Sequence, residues 1–308
     1  MSDFDYATAF KRTVGWVTAT ELEKLRRTRA AIGGVGGSHL LTLPPLALLL
    51  TALLLTALPP TAHADLAAGR DLAERGYNRP DGTDAAARGS MTLTGERRRE
   101  RVRETYTYRL DGEAGERKEM VRFTSPANIA GTGLLVHNHP DGSSDQWLYL
   151  PAADRVRRVS GDNRGQSFVQ SDLYFEDMED RPPHKDEHRL LGSERYRGTE
   201  TKLLESVPVD PDNSAYSKRR AWIHPQTLIA LRVDFYQGGE EPAKRLEIHE
   251  VQRIQGYWTV MRSTMTDLER GTQTVMAVDE IAYDQDLPQE LFSTHGLANP
   301  RREEQYQP

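Results

Sequence analysis

The sequence predicts a mainly β protein built on one antiparallel sheet with a single apolar face, strongly curved or closed. Three observations predict it. About ten to twelve runs of alternating apolar and polar residues follow one another from residue 87 onward. Turn-forming residues separate them: Asp111-Gly112, Pro140-Asp141-Gly142, Gly238-Gly239 and Arg270-Gly271. Outside the leader, helical signals are short and lie near the two ends. A sheet protein of this length commonly forms one domain.

In chain order, the first element is a leader, residues 1–64. Lys24, Arg26, Arg27 and Arg29 form a basic region ahead of an apolar run from Leu46 to Leu58. That run extends about 20 Å as a helix, short of a hydrocarbon core of ~30 Å. Pro59 and Pro60 end it, and Ala62-His63-Ala64 supplies small residues at the cleavage position. Cleavage is expected between Ala64 and Asp65, leaving a periplasmic chain. An uncleaved membrane anchor is the competing reading. Residues 1–23 precede the basic region, carry Asp3 and Asp5, and do not fit the signal pattern. A translation start downstream of Met1 is therefore expected.

Residues 65–298 are expected to form the β domain, and residues 299–308 a charged tail. Asp65 is placed to cap a short helix that Gly76 stops. Pro80-Asp81-Gly82 then marks a turn. Period-two runs begin with Met91 and Leu93, and continue through Tyr106, Tyr108 and Leu110, then Val121 and Phe123, then Leu134 and Val136. Leu231, Val233 and Phe235, alternating with Arg232, Asp234 and Tyr236, give the cleanest pattern. The first three are expected on the inner face and the second three in water. Residues 160–186 interrupt the strands as a polar, acidic segment holding Glu176, Asp177, Glu179 and Asp180. Long ordered loops are often functional, and a mobile surface excursion is the plainer alternative. A short helix is expected within residues 288–297.

Composition excludes several functions. The chain holds 40 Lys+Arg against 46 Asp+Glu, a net charge of −6, without the basic footprint of a nucleic-acid binder. Cysteine is absent, which removes disulfides, thiolate catalysis and thiolate metal sites. No Gly-x-Ser-x-Gly and no phosphate-binding glycine loop occurs. His137 with His139, and His184 with His188, have ligand-like spacing but no convincing third and fourth ligand. Two surface loops that hold histidine account for them, so no metal and no cofactor is expected. The acids from Glu176 to Asp180 read as solvated rather than as a hydrolytic pair. The run Arg97, Arg98, Arg99, Arg101, Arg103 reads as a polar strand or a charged edge, with contact to anionic lipid as the alternative.

What remains is the apolar face of a curved sheet. In a barrel of this strand number side chains need not fill the interior, and a ligand cavity results. A carrier of an acyl chain needs no catalytic residue, because each buried methylene contributes about 0.8 kcal/mol. The candidate lining is Tyr106, Leu134, Val136, Leu231, Val233, Phe235 and Trp258. A filled structural core is the competing reading.

Several segments carry a family resemblance. They are Phe123 and Pro126, then Gly131-Thr132-Gly133-Leu134-Leu135, then Asp145-Gln146-Trp147-Leu148-Tyr149-Leu150-Pro151 followed by Arg155, Arg157 and Arg158. Ser167-Phe168-Val169-Gln170-Ser171-Asp172 and Tyr174-Phe175-Glu176-Asp177 follow, with Met265, Thr274 and Leu291-Phe292 further on. Together they resemble the outer-membrane lipoprotein-sorting protein family, relatives of the periplasmic carrier LolA. Gln170 stands where the family pattern carries Gly, and Phe175 separates Tyr174 from Glu176. The resemblance implies an unclosed, half-open β-barrel covered by short helices and loops. It implies non-enzymatic binding of a lipid or lipoprotein acyl chain and its movement between envelope membranes. It also implies work beside an inner-membrane exporter of the RND type, so an accessory docking subunit is the alternative. A secreted hydrolase is a more distant one.

Overall fold

A computed structural model describes residues 65–95, 98–112 and 115–308. The leader, its cleavage site and Arg97 of the arginine run lie outside the described residues. The described residues form one compact unit.

Helix α1 (Leu66–Tyr77) begins where the Asp65 carboxylate accepts the Ala68 N–H at 2.9 Å, and it ends at Asn78. Thirteen strands follow in one antiparallel sheet. The first six are β1 (Asp84–Gly95), β2 (Arg98–Asp111), β3 (Arg117–Ser125), β4 (Gly133–Asn138), β5 (Ser144–Leu150) and β6 (Arg155–Val159). The next four are β7 (Asp186–Tyr196), β8 (Thr199–Pro208), β9 (Lys218–Ile223) and β10 (Ala230–Tyr236). The last are β11 (Lys244–Ile254), β12 (Tyr257–Asp267) and β13 (Thr272–Tyr283). Helix α2 (Thr294–Leu297) closes the chain with flanking 3-10 turns.

The spatial order is β6-β5-β4-β3-β2-β1-β13-β12-β11-β10-β9-β8-β7, and β6 and β7 are the two edge strands among the described residues. The sheet is therefore unclosed. Every neighbouring pair is a simple hairpin except β1 with β13, which joins the two ends of the chain. Residues 160–185 run from one edge to the other, because β6 and β7 are consecutive in sequence and furthest apart in the sheet.

Strand β6 has no run of alternation to announce it. Val156 and Val159 are three apart, so they face opposite sides, and Arg155, Arg157 and Arg158 are exposed. Charged side chains on a short edge strand disfavour pairing with another chain. On the other edge, Asp65 exchanges backbone hydrogen bonds with Leu190 and covers part of β7.

Each face of the sheet has its own cover. On the inner face lie α1 and residues 160–185. Phe168, Leu173 and Phe175 of that segment pack on Phe123, Leu134, Phe235 and Met265. Leu72 of α1 packs on Leu204 and Ile223. A Cβ on Gly69 would stand 2.6 Å from the His188 carbonyl oxygen, so only glycine lets α1 approach β7 this closely. On the outer face, Leu291, Phe292 and Leu297 cover Tyr108, Met120 and Leu135. Each such side chain contributes about 1.5–3 kcal/mol on burial.

The segment 299–308, expected as a charged tail, holds Glu303 at 0% exposure. The Arg122 guanidinium donates to this carboxylate at 3.0 Å through Nε and also to the Leu297 carbonyl at 2.6 Å. Gly133 makes room, since a Cβ there would lie 2.6 Å from Arg122 and 2.8 Å from Leu297.

Candidate functional site

The register fixes which residues meet on the inner face. Ala87 pairs with Thr107 and Ile281, Thr107 with Val121, and Arg109 with both Ala85 and Glu119. In the other part of the sheet Val233 pairs with Leu246, and Phe235 with Lys244. These side chains point to one side because strand periodicity is two.

One region of this face is filled by residues 160–185. Asp172 anchors the segment to β13: its carboxylate accepts the Thr272 and Thr274 hydroxyls at 2.5 and 2.7 Å. Lys244 on β11 donates to the Asp172 carbonyl at 2.6 Å and sits over the Tyr174 ring. Burial pushes the Lys244 ammonium down to about 8. Glu176 accepts from Ser214 and the Ala215 N–H, both at 2.6 Å, and from Arg219. Asp177 accepts the Tyr216 hydroxyl at 2.9 Å, and burial pushes its carboxyl up to about 6. Glu176 and Asp177, expected in solvent, thus latch the crossing segment to β9 and the turn before it. Arg103 is buried too, and donates to the Val169 carbonyl, while Arg101 donates to the Gln170 side chain at 3.1 Å. The arginine run therefore supplies inner-face anchors as well as a polar strand.

Gln170 has φ 63° and Val169 φ 45°. Both lie in the left-handed region, which glycine enters without steric cost.

A second region is open. A cavity of about 380 Å³ lies against β1, β2, β3 and the end of β13, bordered by Arg79, Asp81 and Met178. Its apolar wall is Ala85, Ala87, Val121, Met178, Ile281 and Tyr283. Its polar wall is Arg79, Asp81, Arg109, Arg117 and Glu119. Arg109 donates to the Asp111 carboxylate at 2.7 Å and to the Asp81 carbonyl. Arg117 donates to Asp111 at 2.8 Å and lies 3.2 Å from Asp81 and 3.6 Å from Asp180. Arg79 donates to the Trp258 carbonyl at 3.0 Å. Among the described residues Glu119 has no hydrogen-bond or ion-pair partner. Burial, with the charge of Asp180, pushes its carboxyl up to about 7 against the pull of Arg117 and Arg109. The volume falls within the range of small-molecule pockets.

The expected lining divides three ways. Leu134, Val136, Val233 and Phe235 lie on the inner face, but in the filled region; Phe235 packs 4.7 Å from the Tyr216 ring. Leu231 is half-buried at a register shift between β9 and β10. Tyr106 and Trp258 correct the expectation. Tyr106 lies on the outer face beside Tyr108, in the cluster covered by the C-terminal segment. Trp258 is 41% exposed, with Arg253 over its ring. Asp234 and Tyr236, expected in water, are buried: Arg232 and Arg245 pair with Asp234, and Lys218 and Arg220 cover the Tyr236 ring. Alternation alone does not report a side chain that arginines fold over.

Glu119 went unnoticed in the sequence, although its parity carries a signal. It shares a strand face with Val121 and Phe123, where an alternating β-strand should be apolar.

The histidines have separate partners. His137 contacts the Phe292 carbonyl at 2.8 Å, His139 the Asp145 carboxylate at 3.2 Å, His184 the Asp141 carbonyl at 3.2 Å, and His188 Ser206 at 2.8 Å. Among the described residues no group of three or more His, Asp or Glu is placed to hold a metal ion. No helix among them is long and apolar enough to cross a membrane.

Comparison with known proteins adds to this geometry. A family model described as "Uncharacterized protein" matches residues 115–299. No curated protein matches the chain. Among solved structures, the chain is similar to one described as an outer membrane lipoprotein-sorting protein domain, from Vibrio parahaemolyticus. Identity is 27% and the TM-score 0.73, over 76% of this chain and 100% of that one. It is similar to a DUF1329 family protein from Desulfovibrio piger, at 29% identity and TM-score 0.72 over the same shares. A LolA superfamily protein from Nitrosomonas europaea shares the fold, at 17% identity and TM-score 0.58, again over 76% and 100%.

Proposed function

The chain belongs to the family whose model spans residues 115–299, and it has the unclosed sheet of lipoprotein-sorting and LolA-superfamily proteins; from this premise we propose that it is a periplasmic binding protein that carries a lipid or lipoprotein acyl group between envelope membranes. The observation that carries the proposal is the cavity of about 380 Å³ on the inner face, with its wall of Ala85, Ala87, Val121, Met178 and Ile281. An acyl segment entering it gains about 0.8 kcal/mol per buried methylene, so a short stretch of chain supplies useful affinity. The candidate ligand wall is this one rather than the Leu134–Phe235 cluster, where side chains from residues 160–185 already occupy the face. The exporter-docking alternative rests on the family resemblance alone.

Two measurements test the carrier reading. Native mass spectrometry of protein from its own envelope is expected to reveal a bound lipid mass. In vitro, an uncharged fluorescent probe such as N-phenyl-1-naphthylamine is expected to bind the wild type. Ala87→Phe, which projects a ring into the cavity, is expected to weaken that binding at least about tenfold, the effect of ~1.4 kcal/mol. A variant that binds the probe as the wild type does would place the ligand elsewhere.

A further inference from the structure

The polar wall of the cavity distinguishes among head groups. Arg109 and Arg117 are held by Asp81 and Asp111, with Asp180 beside Arg117. Arg79 is tied to the Trp258 carbonyl. Glu119 alone of the charged groups lining the cavity has no partner among the described residues. Its neighbours across the strands are Arg109 on β2 and Val136 on β4, so its carboxyl stands between an ion network and an apolar wall. The side chain is half-buried and lines the cavity. A ligand that closes over this carboxyl removes its water, and desolvating it without a replacement hydrogen bond is costly. A missing partner at a cavity wall is explained when the ligand brings it.

The surrounding charges state what that partner is. A cationic head would meet Arg79, Arg109 and Arg117. An anionic head would meet Glu119 and Asp81 directly, with Asp111 and Asp180 behind the arginines. The network is nearly self-neutralised, so it offers an ionic head of either sign little net attraction to offset the loss of its hydration. We propose that the cavity selects an uncharged, hydroxyl-bearing amphiphile, a long-chain alcohol or a monoacylglycerol, whose O–H donates to the Glu119 carboxylate while its hydrocarbon lies against Ala87, Val121 and Ile281. This inference rests on the carrier reading and specifies the ligand of the same site. It also separates the cargo from free fatty acids, which carry a carboxylate at the same end.

The test compares three probes of equal chain length at pH 8: 1-dodecanol, dodecanoate and dodecyltrimethylammonium, each titrated against the bound fluorescent probe. The wild type is expected to prefer dodecanol to either ion by about tenfold or more, the worth of one net hydrogen bond. In Glu119→Gln the side chain keeps an acceptor and gains an N–H donor without charge. Dodecanol binding should stay within a few-fold of wild type, while dodecanoate should approach it. Matched circular dichroism spectra establish that the variant is folded. The wild-type comparison decides the question even if it is not. Wild-type protein that binds dodecanoate as tightly as dodecanol overturns the inference, as does a preference unchanged by Glu119→Gln. In both cases the hydrocarbon site stands. If no probe displaces the fluorophore and Ala87→Phe is silent, the carrier reading itself falls.

Discussion

Glu119 is a carboxyl whose environment favours the protonated form, and this has a consequence for the ligand-free protein. Its pKa rises from an ordinary 4.5 to about 7, chiefly through burial. Between those two values the folded protein holds a proton that the unfolded chain has released. Stability from this residue is therefore fully present below about pH 4.5 and lost as pH rises through 7. The expected size is about 3 kcal/mol, from the shift at 1.36 kcal/mol per unit. Urea denaturation of the ligand-free protein at pH 5 and pH 8 should show the fall, and Glu119→Gln should remove it. Asp234 shows the opposite balance. Burial opposes its charge, yet hydrogen bonds from Arg232 and Arg245 hold its carboxyl below the usual range.

The element that joins the chain's end to the sheet depends on one buried pair. Arg122 on β3 reaches Glu303, the Gly131 carbonyl at 2.7 Å and the Leu297 carbonyl at once. Removing one partner of a buried pair strands the other charge. Arg122→Leu is expected to destabilise the protein by about 3–5 kcal/mol. Hydrogen exchange should show the loss first in residues 287–306, which lie over Tyr108 and Met120, before the central strands open. Exchange that accelerates uniformly across the sheet would instead mean that this cover and the sheet unfold as one unit.

At the scale of the molecule, the unclosed sheet is held in shape by the segment that runs between its edge strands. Asp172 clasps β13, Lys244 reaches it from β11, and Glu176 clasps Arg219 on β9. Phe168, Leu173 and Phe175 fill the inner face between those anchors. Asp172→Ala leaves two threonine hydroxyls without their acceptor, at a cost of about 2–4 kcal/mol. It is expected to expose residues 160–185 to proteolysis at temperatures where the wild type resists. The same variant should bind more of an uncharged apolar probe, because the ground that the segment vacates is apolar. Thermal melts and limited proteolysis check the first expectation, and fluorescence titration the second.

The strands are legible in the order of the residues. Period-two alternation is a local property, written in neighbouring residues such as Leu231, Val233 and Phe235, and the structure returns it strand by strand. The one strand it concealed, β6, has its two valines three apart and three arginines at an edge, so alternation had nothing to act on. Asp65 likewise announced the start of α1, because an N-cap is satisfied within a single turn. What covers each face depends on contacts between distant segments. Tyr106 has the same alternation as an inner residue but lies under the C-terminal segment. Glu176 and Asp177 read as solvated acids until Arg219 and Tyr216, some forty residues on, are brought against them. Glu119 became a site residue once the pairing of β3 with β2 set it among Arg109 and Arg117 at a cavity wall. Burial is a property of pairs distant in sequence, and periodicity within one strand carries no record of the partner that will lie across it.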